Sequence, residues 1–232
     1  MNEARNLPYV LERIPDLVNE VVLVDGNSVD DTVDVARKLR PDIKVVSQDR
    51  KGKGAALRSG FAACQSDIII MIDADGSMNP REISAYVGAL LAGADFVKGS
   101  RFVQGGGTDD MEWYRRLGNW GFTKLVNIRF RGRYSDLCYG YSGFWRDALD
   151  HMSLDSDDGF EIETSMNVQA LTANLVIHEV PSIEAPRIHG KSNLRTIPDG
   201  WRVLKVIFRL GMKFSREGSH VRRSTKTSAE LR

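Results

Sequence analysis

Along the first hundred residues apolar positions alternate between two rhythms, short unbroken runs and longer stretches at helical spacing. Residues 7–19 carry an amphipathic helical pattern, and Glu20–Val24 form a short apolar run that breaks at Asp25-Gly26-Asn27-Ser28, predicting a helix and then a buried strand. Asp30-Asp31-Thr32 supplies capping side chains for a helix that sets Val33, Ala36 and Leu39 on one face, and Pro41 stops it before a strand at Ile43–Val46. Gly52-Lys53-Gly54 opens a helix through Ala63, Asp67–Ile72 is a strongly apolar strand, Pro80–Leu91 a helix and Asp95–Lys98 another strand. Near-continuous apolar strands separated by helices predict an α/β fold, a mostly parallel central sheet with helices on both faces.

After Gly99-Ser100-Arg101 the rhythm breaks at Gly105-Gly106-Gly107 and at an aromatic, basic stretch from Trp113 to Trp120. A helix at Asn119–Arg129, a loop holding Asp136, a helix at Glu161–Ala173 and an edge strand at Leu175–Val180 complete the pattern before the segment Arg187–Arg195. With no internal repeat and no linker, residues 1–200 read as one domain and 201–232 as a basic amphipathic helix and tail.

Composition narrows the class. The 232 residues are 42% hydrophobic and 27% charged, which excludes a disordered, collagen-like or disulfide-scaffold chain. Cys64 and Cys138 lie far apart without CxxC spacing, so no cysteine zinc site is suggested and a reducing cytoplasm fits. No apolar run approaches the ~18 residues that span a bilayer. The net charge of +1 conceals an asymmetry: nine Lys/Arg against Glu217 and Glu230 give residues 201–232 a charge of +7, leaving −6 on residues 1–200. From Trp201 to Arg216 the residues Arg202, Lys205, Arg209, Lys213 and Arg216 form a stripe beside Trp201, Phe208 and Met212. Such a helix lies in a membrane interface, packs on a partner or covers its own domain.

The chemistry concentrates at strand ends. Ile68-Ile69-Ile70-Met71-Ile72 leads directly into Asp73-Ala74-Asp75-Gly76, and in extended chain residues i and i+2 face the same side. Two carboxylates beyond the carboxyl end of a central strand suit Mg²⁺ or Mn²⁺ shared with a diphosphate; the plainer reading is an Asp-rich turn. Lys53 and the backbone N–H groups after Gly52 offer phosphate a helix N-terminus, or else form a glycine turn with a solvated lysine. Asp25 can accept a hydrogen bond from a base or ribose, or serve its turn. Walker A spacing and an early GxGxxG are both missing, which disfavours a P-loop NTPase and a dinucleotide dehydrogenase.

In order, Asp25-Gly26-Asn27-Ser28-Val29-Asp30-Asp31-Thr32, Gly52-Lys53-Gly54-Ala55-Ala56-Leu57-Arg58-Ser59-Gly60, Asp73-Ala74-Asp75-Gly76 and Gly99-Ser100-Arg101-Phe102 resemble the inverting family 2 glycosyltransferases of GT-A fold. The stretch from Asp136 to Arg146, Glu161-Ile162-Glu163 and Arg187-Ile188-His189-Gly190-Lys191-Ser192 look like the polyprenyl- or dolichyl-phosphate sugar synthase branch. The resemblance implies a Rossmann-like single domain that transfers a sugar from a nucleotide-diphosphate sugar, with a divalent metal, to a polyprenyl phosphate at the inner face of the membrane. It implies no nucleic-acid partner. A soluble acceptor and a non-catalytic nucleotide-sugar-binding relative are the alternatives.

Carried over by position, the resemblance implies that Glu3, Asp25, Lys53, Asp73 and Asp75 bind the donor, that Asp75 with Asp73 holds the metal, and that His189 is a further ligand. Arg101, Arg116, Arg187 and Lys191 would face phosphate groups, with Asp136 beside Arg101 and Arg116 in the catalytic set as general base. A phosphate acceptor, already ionised near neutral pH, makes that base dispensable, and the arginines tilt the reading toward a lipid phosphate. Two departures stand out. Ser77 occupies the position where the branch commonly has a metal-binding glutamine, and the family's first apolar strand is missing before Met1-Asn2-Glu3. We expect from this a native chain extending upstream of Met1.

Overall fold

The computed structural model describes residues 1–109, 111–190 and 195–229, with side chains described through Phe214. The short helix α1 (Leu7–Leu11) is followed by β1 (Val22–Asp25), α2 (Thr32–Leu39), β2 (Lys44–Ser47), α3 (Lys53–Ala63) and β3 (Ile68–Met71). A 3₁₀ turn at Pro80–Glu82 leads into α4 (Ile83–Leu91), β4 (Phe96–Ser100), β5 (Gly107–Thr108) and α5 (Trp113–Phe130). The chain closes with β6 (Ser142–Trp145), α6 (Glu161–Thr172), β7 (Ile177–Pro181), β8 (Ile183–Glu184) and α7 (Thr196–Ala229).

The main sheet has the order β3-β6-β4-β7. β4 and β7 are parallel, with Val97 opposite His178, and β6 runs against both its neighbours, with Phe144 opposite Ile69 and Phe96. β1 and β2 form a separate parallel pair, and β5 and β8 a two-residue parallel ladder. Helices cover both faces, as the sequence pattern requires: Ile162 and Met166 of α6 pack with Phe61, Phe96 and Phe144, while Tyr86 and Leu90 of α4 pack with Val97, Tyr139 and Tyr141.

The sequence reading departs from this in five places. The first helix stops at Leu11 because the chain turns at Pro15, whose carbonyl accepts from Val18. The expected strand at Leu175–Val180 is paired only from Ile177, and α5 begins six residues earlier than expected. β6 escaped notice because Ser142-Gly143 reads as loop; a Cβ on Gly143 would fall 2.3 Å from the tip of the Ile70 side chain, Cδ1, which would have to shift to admit it. The division placed at residue 200 falls inside α7, whose inner face carries buried Val203 and Ile207 against Val126, Phe130 and Val168. Two members of its basic stripe are tied inward or along the helix: Arg209 to buried Asp157 at 2.7 Å, and Arg202 to Asp199 at 3.4 Å.

Candidate active site

β3 delivers its chain to a turn in which Gly76 takes φ 80°, a conformation suited to glycine. Ser77 donates from both its backbone N–H, at 3.0 Å, and its Oγ, at 2.7 Å, to Asp75 Oδ1. The serine that replaces the expected glutamine therefore orients Asp75. The other oxygen, Oδ2, meets Arg187 Nη2 at 2.9 Å, and Arg187 Nη1 reaches Glu3 Oε1 at 2.8 Å.

Lys53, at the first turn of α3, places Nζ 2.7 Å from Asp73 Oδ1 and 2.5 Å from Glu163 Oε1. Burial alone would lower the lysine pKa, but Asp73 and Glu163 outweigh it and hold the ammonium well above its ordinary value. The glycines of Gly52-Lys53-Gly54 serve close packing, since a Cβ on Gly54 would fall 1.9 Å from the Asp157 carbonyl. Gly54 N–H donates to Asp158 O at 2.9 Å. The expectation of free amides there is corrected: at this helix end it is the Lys53 side chain that faces the site.

Arg101 at the end of β4 grips Asp136 through Nε–Oδ2 at 2.7 Å and Nη2–Oδ1 at 2.9 Å, and reaches Glu184 Oε2 through Nη1 at 2.9 Å. Asn119 Nδ2 and the Arg101 backbone N–H also donate to Asp136. Burial would raise the carboxyl pKa, but the Arg101 hydrogen bonds and charge hold it below the ordinary range. Beneath them Lys98 is fully buried, donates to the Tyr139 carbonyl and has its pKa pushed down by desolvation.

Lys53, Asp73, Asp75, Arg101, Glu163, Glu184 and Arg187 border one cavity of about 620 Å³, lined toward the N-terminal ends of α5 and α7 by Tyr114, Arg115, Gly118, Thr196 and Gly200. Its described lining carries the carboxylates of Asp73, Asp75, Glu112, Glu163, Glu184 and Asp199 against the cations of Lys53, Arg101, Arg115 and Arg187. An anionic ligand entering this excess of carboxylate is favoured by an added divalent cation, and hard oxygen donors from Asp73 and Asp75 suit one.

The family model described as "Glycosyl transferase family 2" matches residues 1–153. The chain belongs to this family. This glycosyltransferase is 30% identical over 234 residues to the undecaprenyl-phosphate mannosyltransferase of Micrococcus luteus, covering 95% of each chain. It is also 30% identical over 214 residues to the polyprenol monophosphomannose synthase of Mycolicibacterium smegmatis, covering 83% of this chain and 77% of that one. Among solved structures, glucosyl-3-phosphoglycerate synthase from Mycobacterium tuberculosis, in complex with Mn²⁺, UDP and glucosyl-3-phosphoglycerate, superposes with a TM-score of 0.70 at 24% identity, covering 90% of this chain and 76% of that one. The GT-A fold expected from the sequence is thus the fold observed.

The cavity of the glycosyltransferase gathers Lys53, Asp73, Asp75, Arg101 and Arg187, and five expectations need correction. Asp136 does not line it: the side chain is fully buried with both oxygens occupied, so its placement fits holding Arg101 and not accepting an acceptor proton. Arg116 points out against the Phe102 ring, 5.3 Å away, and its neighbour Arg115 takes the cavity position. Asp25 turns back to accept from Ser28 N–H at 3.1 Å. Glu3 pairs with Arg187 and does not itself border the cavity. His189 is not brought in as a third ligand, since among the described residues no three His, Cys, Asp or Glu side chains cluster closely enough to hold a metal. Lys191 lies outside the described residues. Sequence reasoning missed the roles of Glu163 and Glu184; the one available signal was Glu163, a carboxylate inside the buried helix α6.

Proposed function

We propose that the protein transfers a hexose from a nucleotide-diphosphate sugar, with inversion, to a polyprenyl phosphate at a membrane surface. The observation that carries the acceptor reading is the mouth of the cavity between α5 and α7. The two helices lie side by side in the same direction, Phe122 beside Gly200 and Phe130 5.7 Å from Phe214, ring to ring. Each presents an outward stripe of large apolar side chains broken by lysine: Trp113, Leu117, Trp120, Lys124 and Ile128 on α5, and Ile197, Trp201, Lys205, Phe208 and Met212 on α7. Trp113 is 77% and Trp201 62% exposed. Apolar rings with interspersed cations suit the headgroup region of an anionic bilayer, and no helix among the described residues is long and apolar enough to cross one. The names of the two mannosyltransferase relatives support the same acceptor class.

In this reading Asp73 and Asp75 hold a divalent ion, which when bound supplies charge to stabilise the departing nucleotide diphosphate. Lys53 and Arg187 hold the donor's phosphates, Arg187 shifting from Asp75 as the donor enters. Arg101, fixed in orientation by Asp136 and Glu184, and Arg115 at the mouth receive the acceptor phosphate, whose forked geometry guanidinium matches. An ionised phosphate oxygen attacks without a protein base, which accords with the locked state of Asp136.

The test is transfer from GDP-mannose, UDP-glucose and other nucleotide sugars to a short polyprenyl phosphate with Mn²⁺ or Mg²⁺. Transfer that depends on metal and is lost in Asp75→Ala is expected. Transfer to a soluble phosphorylated acceptor alone would replace the lipid acceptor, and nucleotide binding without any turnover would reject the catalytic reading.

A further inference from the structure

Lys98, the middle residue of β4, is fully buried, does not border the cavity and has no part in the chemistry proposed above. Among the described residues its ammonium donates to one group, the neutral Tyr139 carbonyl. A strand covered on both faces ordinarily holds an apolar side chain at such a position, and an ammonium buried against a neutral carbonyl costs stability that leucine would not. The lysine is explained by what it holds.

Tyr139 ends a loop between α5 and β6 whose backbone is tied down by side chains of the surrounding elements. Glu179 of β7, paired with Lys98 in the sheet register, accepts from Ser135 N–H at 2.8 Å, and Asn119 of α5 accepts from Cys138 N–H at 2.9 Å. The chain then reaches Gly140 on the cavity wall, where a Cβ would fall 2.5 Å from Glu163 Oε1 and 3.0 Å from Lys53 Nζ, so this backbone lies directly against that ion pair. No peptide bond among the described residues is cis, and in a trans peptide the carbonyl and the following N–H point in opposite directions. With the Tyr139 carbonyl drawn into the sheet by Lys98, the Gly140 N–H faces the cavity side. Gly140 is buried and no described residue accepts from its N–H, a rare state for a buried amide unless a bound group completes it.

We propose that Lys98 is a positioning residue of the donor site: by holding the Tyr139 carbonyl it aims the Gly140 N–H at a phosphate oxygen of the nucleotide-diphosphate sugar beside the Lys53 ammonium, a role that rests on the assignment of Lys53 to those phosphates. A backbone donor fixed before the ligand arrives needs no reorganisation as charge grows on the departing diphosphate. The Tyr139 side chain is anchored separately, its hydroxyl 3.0 Å from Ser182 Oγ, so removing Lys98 releases the peptide and leaves the ring in place.

The experiment combines proton–nitrogen NMR of the full-length chain with steady-state kinetics, on the parent and on Lys98→Met, whose side chain is of similar length and carries no donor. On addition of UDP or GDP with Mg²⁺ the Gly140 amide proton of the parent is expected to move downfield as it meets a phosphate oxygen, and that of Lys98→Met to stay where it was. Lys98→Met should lower kcat/KM for the nucleotide sugar by about 10- to 100-fold, the loss of one hydrogen bond to a charged group, with the acceptor KM unchanged. Its unfolding midpoint should be no lower than the parent's, since an apolar side chain replaces a buried charge. A lysine with a structural role alone would shift the midpoint and leave the donor kinetics as they were. A Gly140 amide that neither nucleotide moves in the parent overturns the inference, as does one that moves equally in Lys98→Met, or a donor kcat/KM that matches the parent's. The amide shift is read without turnover, so a parent chain that binds nucleotide, moves this amide and transfers no sugar rejects the catalytic reading and upholds the role of Lys98.

Discussion

Arg187 bridges Glu3 and Asp75, with one guanidinium nitrogen 2.8 Å from Glu3 Oε1 and the other 2.9 Å from Asp75 Oδ2. Since Ser77 occupies Asp75 Oδ1, the arginine covers the oxygen a divalent ion would take. In the proposed function, cation and metal therefore compete until a diphosphate arrives to share the arginine. Arg187→Met is expected to tighten Mn²⁺ binding roughly 3- to 10-fold in the absence of nucleotide, because a nearby positive charge is removed. The same variant should lose most of its transfer activity, having lost a forked phosphate ligand. Mn²⁺ titration followed by electron paramagnetic resonance, with and without UDP, reads the first effect; an unchanged affinity without nucleotide would show that the ion pair does not compete.

The Arg101–Asp136 pair is the most deeply buried ion pair of the site, the side chains being 3% and 0% exposed. Removing one partner of such a pair strands the other charge, at a cost of about 3–5 kcal/mol. Arg101→Met should accordingly lower the thermal midpoint by roughly 10 °C, at 2–4 °C per kcal/mol for a chain of this size. Asp136 adds a pH signature. Its folded pKa is held below the unfolded value near 3.9, so the stability it contributes is present above that value and lost as pH falls through the folded one. Chemical denaturation from pH 6 down to pH 3 should show an acid limb in the parent protein that is flatter in Asp136→Asn.

Lys53 joins Asp73 to Glu163, and their charges keep it protonated throughout the neutral range. A raised lysine pKa contributes stability that is fully present below the unfolded value near 10.4 and lost only as pH rises through the folded value. Any alkaline limb of the pH–rate profile below pH 10 should therefore persist in Lys53→Arg. Lys53→Met should raise the donor KM by about 10- to 100-fold, the loss of one charge-assisted phosphate contact. Steady-state kinetics of the two variants separates these effects. A KM unchanged in Lys53→Met would confine the lysine to holding Asp73 and Glu163 in place.

What could be read from the sequence follows from how local each signal is. Five apolar residues followed by Asp73 and Asp75 define a buried strand and its exit turn within nine positions, and the structure places both carboxylates on one cavity. Lys53 was legible for the same reason. Glu163 and Glu184 were not, because their partners Lys53 and Arg101 lie 110 and 83 positions away in the chain and only the closed fold brings them together. The exchange of Arg116 for Arg115 has a geometric origin: successive helical residues point about 100° apart, so the position at the cavity depends on the phase of α5. Asp136 misled because a carboxylate next to Ser135 in a loop gives no sign that Arg101 and Asn119 will enclose it.

The bilayer reading makes a prediction that truncation cannot test cleanly, because Val203 and Ile207 of α7 belong to the domain core and deleting the helix would unfold part of it. Substitution on the outward stripes avoids this. Trp113, Trp120, Trp201 and Phe208 are each 60% or more exposed, so replacing them by serine should leave the midpoint of unfolding within about 2 °C. Each large ring that enters an interface contributes on the order of 1–2 kcal/mol, so the Trp113→Ser, Trp201→Ser double variant should bind phosphatidylglycerol vesicles at least ~10-fold more weakly. Lys124→Glu with Lys205→Glu should weaken binding further at low salt and much less at 0.5 M, since the headgroup attraction of these cations is screened. UDP and GDP binding should be unaffected in both double variants. If vesicle sedimentation finds parent and variants alike while nucleotide binding is retained, the two stripes serve another partner and the acceptor reaches the cavity without membrane contact by this face.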